Sequence, residues 1–221
     1  MKVAVLVDGS FFIKRYRVLF KNKDPYNASE IAKKLHWGII ENINRANKHN
    51  IRRELYRIFY YDCPPLEKRL QNPVTKKGFD SSKSKEAIFR KQLFDELKKS
   101  RKLALRLGRL ADNGAWLIRP DKTKEILNQK INVSELVDKD VYYNVNQKGV
   151  DMKIGLDIAS LAYKKAVDQI ILIAGDSDFV PAAKLARREG IDFVLDPMWN
   201  HINPDLYEHI DGLASSWPKP K

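Results

Sequence analysis

Residues 3–7, VAVLV, and the IILIA of QIILIA at 169–174 are unbroken apolar runs too short to be helices, and each hands over within a few residues to a stretch with helical periodicity. A strand that is apolar at every position leaves no face for water, so it must be covered on both sides. DFVLD at 192–196 repeats the pattern after a helical stretch at 178–189. ELYRIFYYD at 54–62 repeats it after a helix expected over 28–49, in which Ile31, Leu35, Ile39 and Ile43 recur at helical spacing. Strands alternating with helices in this way predict an α/β fold with a mainly parallel sheet covered on both faces. Such sheets bind ligands beyond the carboxyl ends of their strands.

The middle of the chain is less regular. Residues 64–85 are polar and rich in Lys, Ser and Pro, which reads as an exposed loop leading to a helix at 85–99. KLALRLGRL, ADNG and AWLIRP alternate apolar and basic residues around a Gly-containing turn, which predicts a β-hairpin with Arg106 and Arg109 on its polar face. Residues 121–140 carry no clear pattern, and a helix follows at 149–166. With 221 residues the chain has material for one core, so residues 1–212 read as a single domain and 213–221 as a C-terminal tail.

A net charge of +13, from 41 Lys and Arg against 28 Asp and Glu, points to a polyanionic partner, most simply nucleic acid. No window approaches 18 uninterrupted apolar residues, which argues against a membrane span. The N-terminal run meets Asp8 too early for a signal peptide. One cysteine, Cys63, excludes an internal disulfide framework, and a cytoplasmic location is the default expectation. Monomer and homo-oligomer both remain open.

The chemistry lies in the acids that follow the strands. Asp8 ends the first apolar run, and Asp176 and Asp178 follow the run at 169–174, so adjacent strands would bring them together. Asp151 lies in the first turn of the helix starting near 149. Asp157 is six residues further on and rotated by roughly 240°, so it joins the others only if the helix is irregular. Carboxylates that converge repel one another unless a cation lies between them. All-oxygen ligands without histidine or cysteine suit Mg²⁺ or Mn²⁺, ions that promote phosphodiester hydrolysis. Four of these acids also have a bland role: Asp8 in an Asp-Gly turn, Asp178 as a helix cap, Asp151 at a helix N-terminus, Asp157 in a pair with Lys153 or Lys164.

Other chemistries fit less well. GDS at 175–177 would make Ser177 a hydrolase nucleophile with Asp205 and His209, but it stands too late in the chain for that class. The four histidines show no zinc-ligand spacing with Cys63, and no phosphate-binding Gly-rich loop is present.

Three segments, VLVDGSFF at 5–12, QKGVDMKIGLDIASLA at 147–162 and ILIAGDSDFVPAAKLARREG at 171–190, together resemble the NYN domains of the PIN-like nuclease superfamily, close to the bacterial LabA-like branch. The resemblance implies a three-layer α/β/α sandwich whose acidic cluster binds Mg²⁺ or Mn²⁺ and cleaves RNA, commonly single-stranded. Carried onto this chain, it implies Asp8, Asp151 and Asp176 as core metal ligands, with Asp178 and Asp157 as additional acids. It also places Ser10 and Ser177 among the small polar residues lining the site. Residues 63–140 match no family motif and read as a variable or inserted region. Beside the acids, Lys14, Arg15, Lys148, Lys153, Lys184 and Arg187 are the expected phosphate contacts. Phe11, Phe12 and Tyr16 could stack bases, although the two adjacent phenylalanines at a helix start are better read as core. The alternatives to an endoribonuclease are a non-catalytic RNA-binding module and a structure-specific DNA nuclease.

Overall fold

The computed structural model describes residues 1–21, 23–47 and 52–220. In chain order the elements are β1 (Lys2–Asp8), α1 (Gly9–Leu19), α2 (Ala28–Asn47), β2 (Glu54–Asp62), β3 (Arg69–Gln71), β4 (Gly78–Asp80), α3 (Lys85–Lys98), β5 (Leu103–Leu107), β6 (Arg109–Ile118), α4 (Pro120–Leu127), β7 (Val141–Lys148), α5 (Val150–Tyr163), β8 (Gln169–Ile173), α6 (Val180–Arg188), β9 (Asp192–Asp196), α7 (Pro204–Tyr207) and β10 (Gly212–Leu213). Positions 48–49 of the helix expected over 28–49 lie outside the described residues.

Six strands form one parallel sheet in the order β10-β9-β8-β1-β2-β5. The pleat divides their side chains. Val3, Val5 and Val7 pack with Phe12, Ile13 and Tyr16 of α1, Ile31 and Leu35 of α2 and Phe89 and Leu93 of α3. Ala4 and Leu6 face the other way, toward Ile154 and Ile158 of α5, Ala183 and Ala186 of α6 and Leu206 of α7. The fold is therefore a three-layer α/β/α sandwich, and all five residues from Val3 to Val7 are at most 1% exposed. Each such aliphatic side chain contributes about 1.5–3 kcal/mol by leaving water.

From β1 the chain builds outward through β2 to β5, then returns to the other side of β1 and builds β8, β9 and β10. The connections diverge between β1 and β8, which opens a crevice at their carboxyl ends.

The expected hairpin over 102–118 is corrected by the structure. Residues 103–107 join β2 as the sheet's parallel edge strand, and β6 pairs instead with β7 across the less regular segment. The ADNG turn chemistry is nonetheless present: Asp112 Oδ1 accepts from the Gly114 amide at 2.9 Å, and Gly114 has φ +70°. It makes a bulge within β6, where the register with β7 shifts between Asp112 and Trp116, rather than a chain reversal. The loop expected over 64–85 carries a second small ribbon, β3 with β4. Residues 213–220 contribute to the last strand and seat Trp217 at 2% exposure, with its ring close over the Cβ-less Gly38.

Candidate active site

Both strands bordering the crevice lead into helical segments capped by an aspartate. Asp8 caps α1, accepting from the Phe11 amide through Oδ1 at 3.0 Å. Asp176 caps the turn at 177–179, accepting from the Asp178 amide through Oδ1 at 3.1 Å. In each case the cap fixes the carboxylate by one oxygen and leaves the second free of that bond. Asp8, Ser10, Lys14, Asp176, Ser177 and Asn200 line an open cleft of about 380 Å³. The ring of Phe11 lies so close to Gly175 that a Cβ there would meet it at 2.4 Å, so the two strand ends are spaced by direct packing.

Asp151, at the start of α5, and Asp178, in the turn after β8, are linked to this pair through charge. Burial raises the Asp151 carboxyl above its usual range, and the charges of Asp176 and Asp178 raise it further. Burial also pushes Asp8 up to about 6 against the Phe11 hydrogen bond, with Asp151 and Asp62 adding repulsion. These mutual effects place Asp8, Asp151, Asp176 and Asp178 in one electrostatic neighbourhood. Among the described residues no three His, Cys, Asp or Glu side chains stand close enough together to enclose an ion. Asp8 and Asp176 line an open cleft rather than a closed cage.

Other residues expected at the site are committed elsewhere. Asp157 receives both Arg106 nitrogens, at 2.6 and 2.8 Å, and the Tyr61 hydroxyl at 2.7 Å. Its rotation around α5 points it away from Asp151, to where Arg106 of β5 meets it. Arg15 donates twice to the Met198 carbonyl, at 3.1 and 2.8 Å. Arg187, in the last turn of α6, pairs with Asp211 at 2.7 Å. Lys184 is exposed on α6, Lys148 is exposed at the end of β7, and Lys153 is half-buried one turn into α5. Ser10 exchanges hydrogen bonds with the Gln147 side chain at 3.1 and 3.2 Å, which ties the β6–β7 ribbon to the cleft. Phe12 and Tyr16 are core residues.

Two further acids lie at the same sheet edge. Asp62, at the end of β2, is fully buried and paired with Arg90 of α3. Asp196, at the end of β9, accepts from the Met198 amide and from the Trp217 indole, each at 2.9 Å. Both could have been found by the signal that exposed Asp8, an aspartate closing an apolar strand.

A family model described as the NYN domain matches residues 2–202. The chain belongs to the NYN domain family. The matched span contains the whole acidic group and the crevice between β1 and β8. No curated protein matches this NYN chain. A crystal structure of a protein of unknown function from Vibrio parahaemolyticus is similar to it at 16% identity and a TM-score of 0.45, over 98% of this chain and 94% of that one. Among the described residues of the NYN chain, no helix is long and apolar enough to cross a membrane.

Proposed function

We propose that this NYN protein is a metal-dependent endoribonuclease that hydrolyses phosphodiester bonds of single-stranded RNA in the cleft between β1 and β8. The observation that carries this reading is that Asp8 and Asp176, brought from opposite ends of the chain, open into one cleft beside Lys14, with Asp151 and Asp178 electrostatically coupled to them. The donor set fits Mg²⁺ or Mn²⁺. Mg²⁺ keeps several waters and takes one or two carboxylates together with substrate phosphate, so an open group of acids suits it where a closed cage would not. Asp8 and Asp176 would hold the ion, with Asp151 and Asp178 adding negative charge beside it. When bound, such an ion neutralises charge on the phosphate and acidifies water at the reacting centre.

The chain's own residues supply the rest. Lys14 attracts the phosphate backbone into the cleft. The caps at Asp8 and Asp176 fix both carboxylates before substrate arrives, so little reorganisation is needed during reaction. Ser177 offers its hydroxyl group to the strand at the cleft wall, beside Ser10, whose own hydroxyl is bonded to Gln147. The excess of basic residues provides sequence-independent affinity for a polyanion.

A second reading, a non-catalytic RNA-binding module, draws on the absence of a closed three-acid group among the described residues. Labelled single-stranded RNA and DNA of one sequence, incubated with purified protein in Mg²⁺, Mn²⁺ or chelator, separate the readings. Internal cuts in RNA that require the ion support the endoribonuclease. Salt-sensitive binding without product favours the binding module, and cutting confined to DNA favours a DNA nuclease.

A further inference from the structure

The loop after β9 holds two consecutive non-glycine residues in the left-handed region, Met198 at φ +47° and Trp199 at φ +61°. Side chains disfavour that conformation, so neighbouring structure must enforce it. Three contacts do so. Asp196 Oδ1 accepts from the Met198 amide at 2.9 Å. Arg15 clamps the Met198 carbonyl with two donors. The Trp199 indole donates to the carbonyl of the buried Trp217 at 2.7 Å. The turn closes with the Asn200 amide donating to the Pro197 carbonyl at 2.8 Å.

What this over-determined turn presents to the cleft is Asn200, on the wall shared with Asp8 and Asp176. Asn203 lines the same wall. Its Oδ1 caps α7 by accepting from the Asp205 amide at 3.0 Å, which leaves its NH₂ group as a donor. The cleft therefore sets neutral amide donors and Lys14 beside a group of carboxylates. Carboxylates cannot bind phosphate oxygens directly, whereas amide N–H groups can, without adding charge that would compete for a cation.

We propose that Asn200 is a substrate-positioning residue whose carboxamide N–H groups bind a backbone phosphate oxygen of the strand being cut, and that Arg15, Asp196 and Trp217 act through the loop that holds it. The proposal rests on the nuclease reading of the cleft. It gives Arg15 a role different from direct phosphate contact: its positive charge orders the turn that makes the contact.

The test is binding of a fluorescent single-stranded RNA, followed by anisotropy in chelator across a salt series, with cleavage measured separately in Mn²⁺. Asn200→Ala should weaken binding roughly 10-fold at every salt concentration and lower kcat/KM by about the same factor, because a hydrogen bond to a charged group is lost. The salt slope should stay at its wild-type value, since a neutral donor releases no counterion, whereas Lys14→Ala should reduce the slope by about one. Arg15→Met should reproduce the Asn200→Ala loss in kcat/KM, with partial rescue by Arg15→Lys. Unchanged binding and cleavage in Asn200→Ala, in a protein with wild-type melting behaviour, would overturn the proposal. A wild type that cuts nothing, with the binding difference intact, would count against the nuclease reading and leave the phosphate contact standing.

Discussion

Four adjacent strands deliver an aspartate to the same edge of the sheet, yet the inner and outer pairs live in different surroundings. Asp8 and Asp176, beside the switch point, each cap a helical segment through one oxygen and open to the cleft. Asp62 and Asp196, on the flanking strands, are at most 1% exposed and consumed by internal partners. Residue type and topological position are shared, so what separates an available acid from a structural one is the partner the fold supplies. At β2 that partner is a guanidinium from α3, and at β9 it is an indole from the chain's last residues. At the switch point the helices part and supply only backbone caps.

The largest effect expected from breaking this contrast lies in the outer pair. Arg90→Leu leaves the Asp62 charge buried without its counterion and should cost about 3–5 kcal/mol in urea denaturation. A loss under 1 kcal/mol would mean that Asp62 is not structural. Asp196→Ala leaves the Met198 amide and Trp217 indole without their acceptor and should cost about 1–3 kcal/mol, with a fall in cleavage as the Asn200 turn relaxes.

The inner pair should respond in the opposite direction. Asp8 has a folded-state pKa raised from 3.8 to about 6, so the folded protein holds that proton more tightly than the unfolded chain. Below about pH 4 both states are protonated and the group contributes no difference. As pH rises from about 4 to 6 the unfolded chain ionises first, and stability falls. Asn keeps the helix cap and removes the charge, so Asp8→Asn should abolish cleavage yet raise stability by about 1–2 kcal/mol at pH 7–8, after allowance for partial exposure. The gain should shrink to a small fraction by pH 4, as paired urea melts at the two pH values would reveal. A loss of stability at pH 8 would show that Asp8 is paired like Asp62.

This contrast also explains how far the sequence could be read. The inner acids are legible because each follows an apolar strand and precedes a helix, which is local information. Asp62 ends a strand of the same kind, but Arg90, which takes it out of the site, lies 28 residues further on in α3, past the β3–β4 ribbon. The hairpin over 102–118 misleads because an Asx turn with a left-handed glycine serves a bulge as readily as a reversal, and only the pairing of 103–107 with β2 decides between them. Trp217 looks like part of a polar tail because its pocket is made by Gly38 and Phe12, close in space and distant in sequence. Arg15 looks like a phosphate ligand by its place beside Asp8. Its real partner is a backbone carbonyl in a strained turn that no local pattern announces.

The most direct measurement is cleavage and binding of one labelled single-stranded RNA by wild type and Asp176→Asn, in Mn²⁺, in Mg²⁺ and in chelator. Wild type should cut only with the divalent ion, and Asp176→Asn should bind the RNA as tightly in chelator but not cut it under any condition. Cleavage by Asp176→Asn at the wild-type rate, or cleavage by wild type that persists in chelator, would contradict the assignment of these strand-end carboxylates as the metal-holding centre.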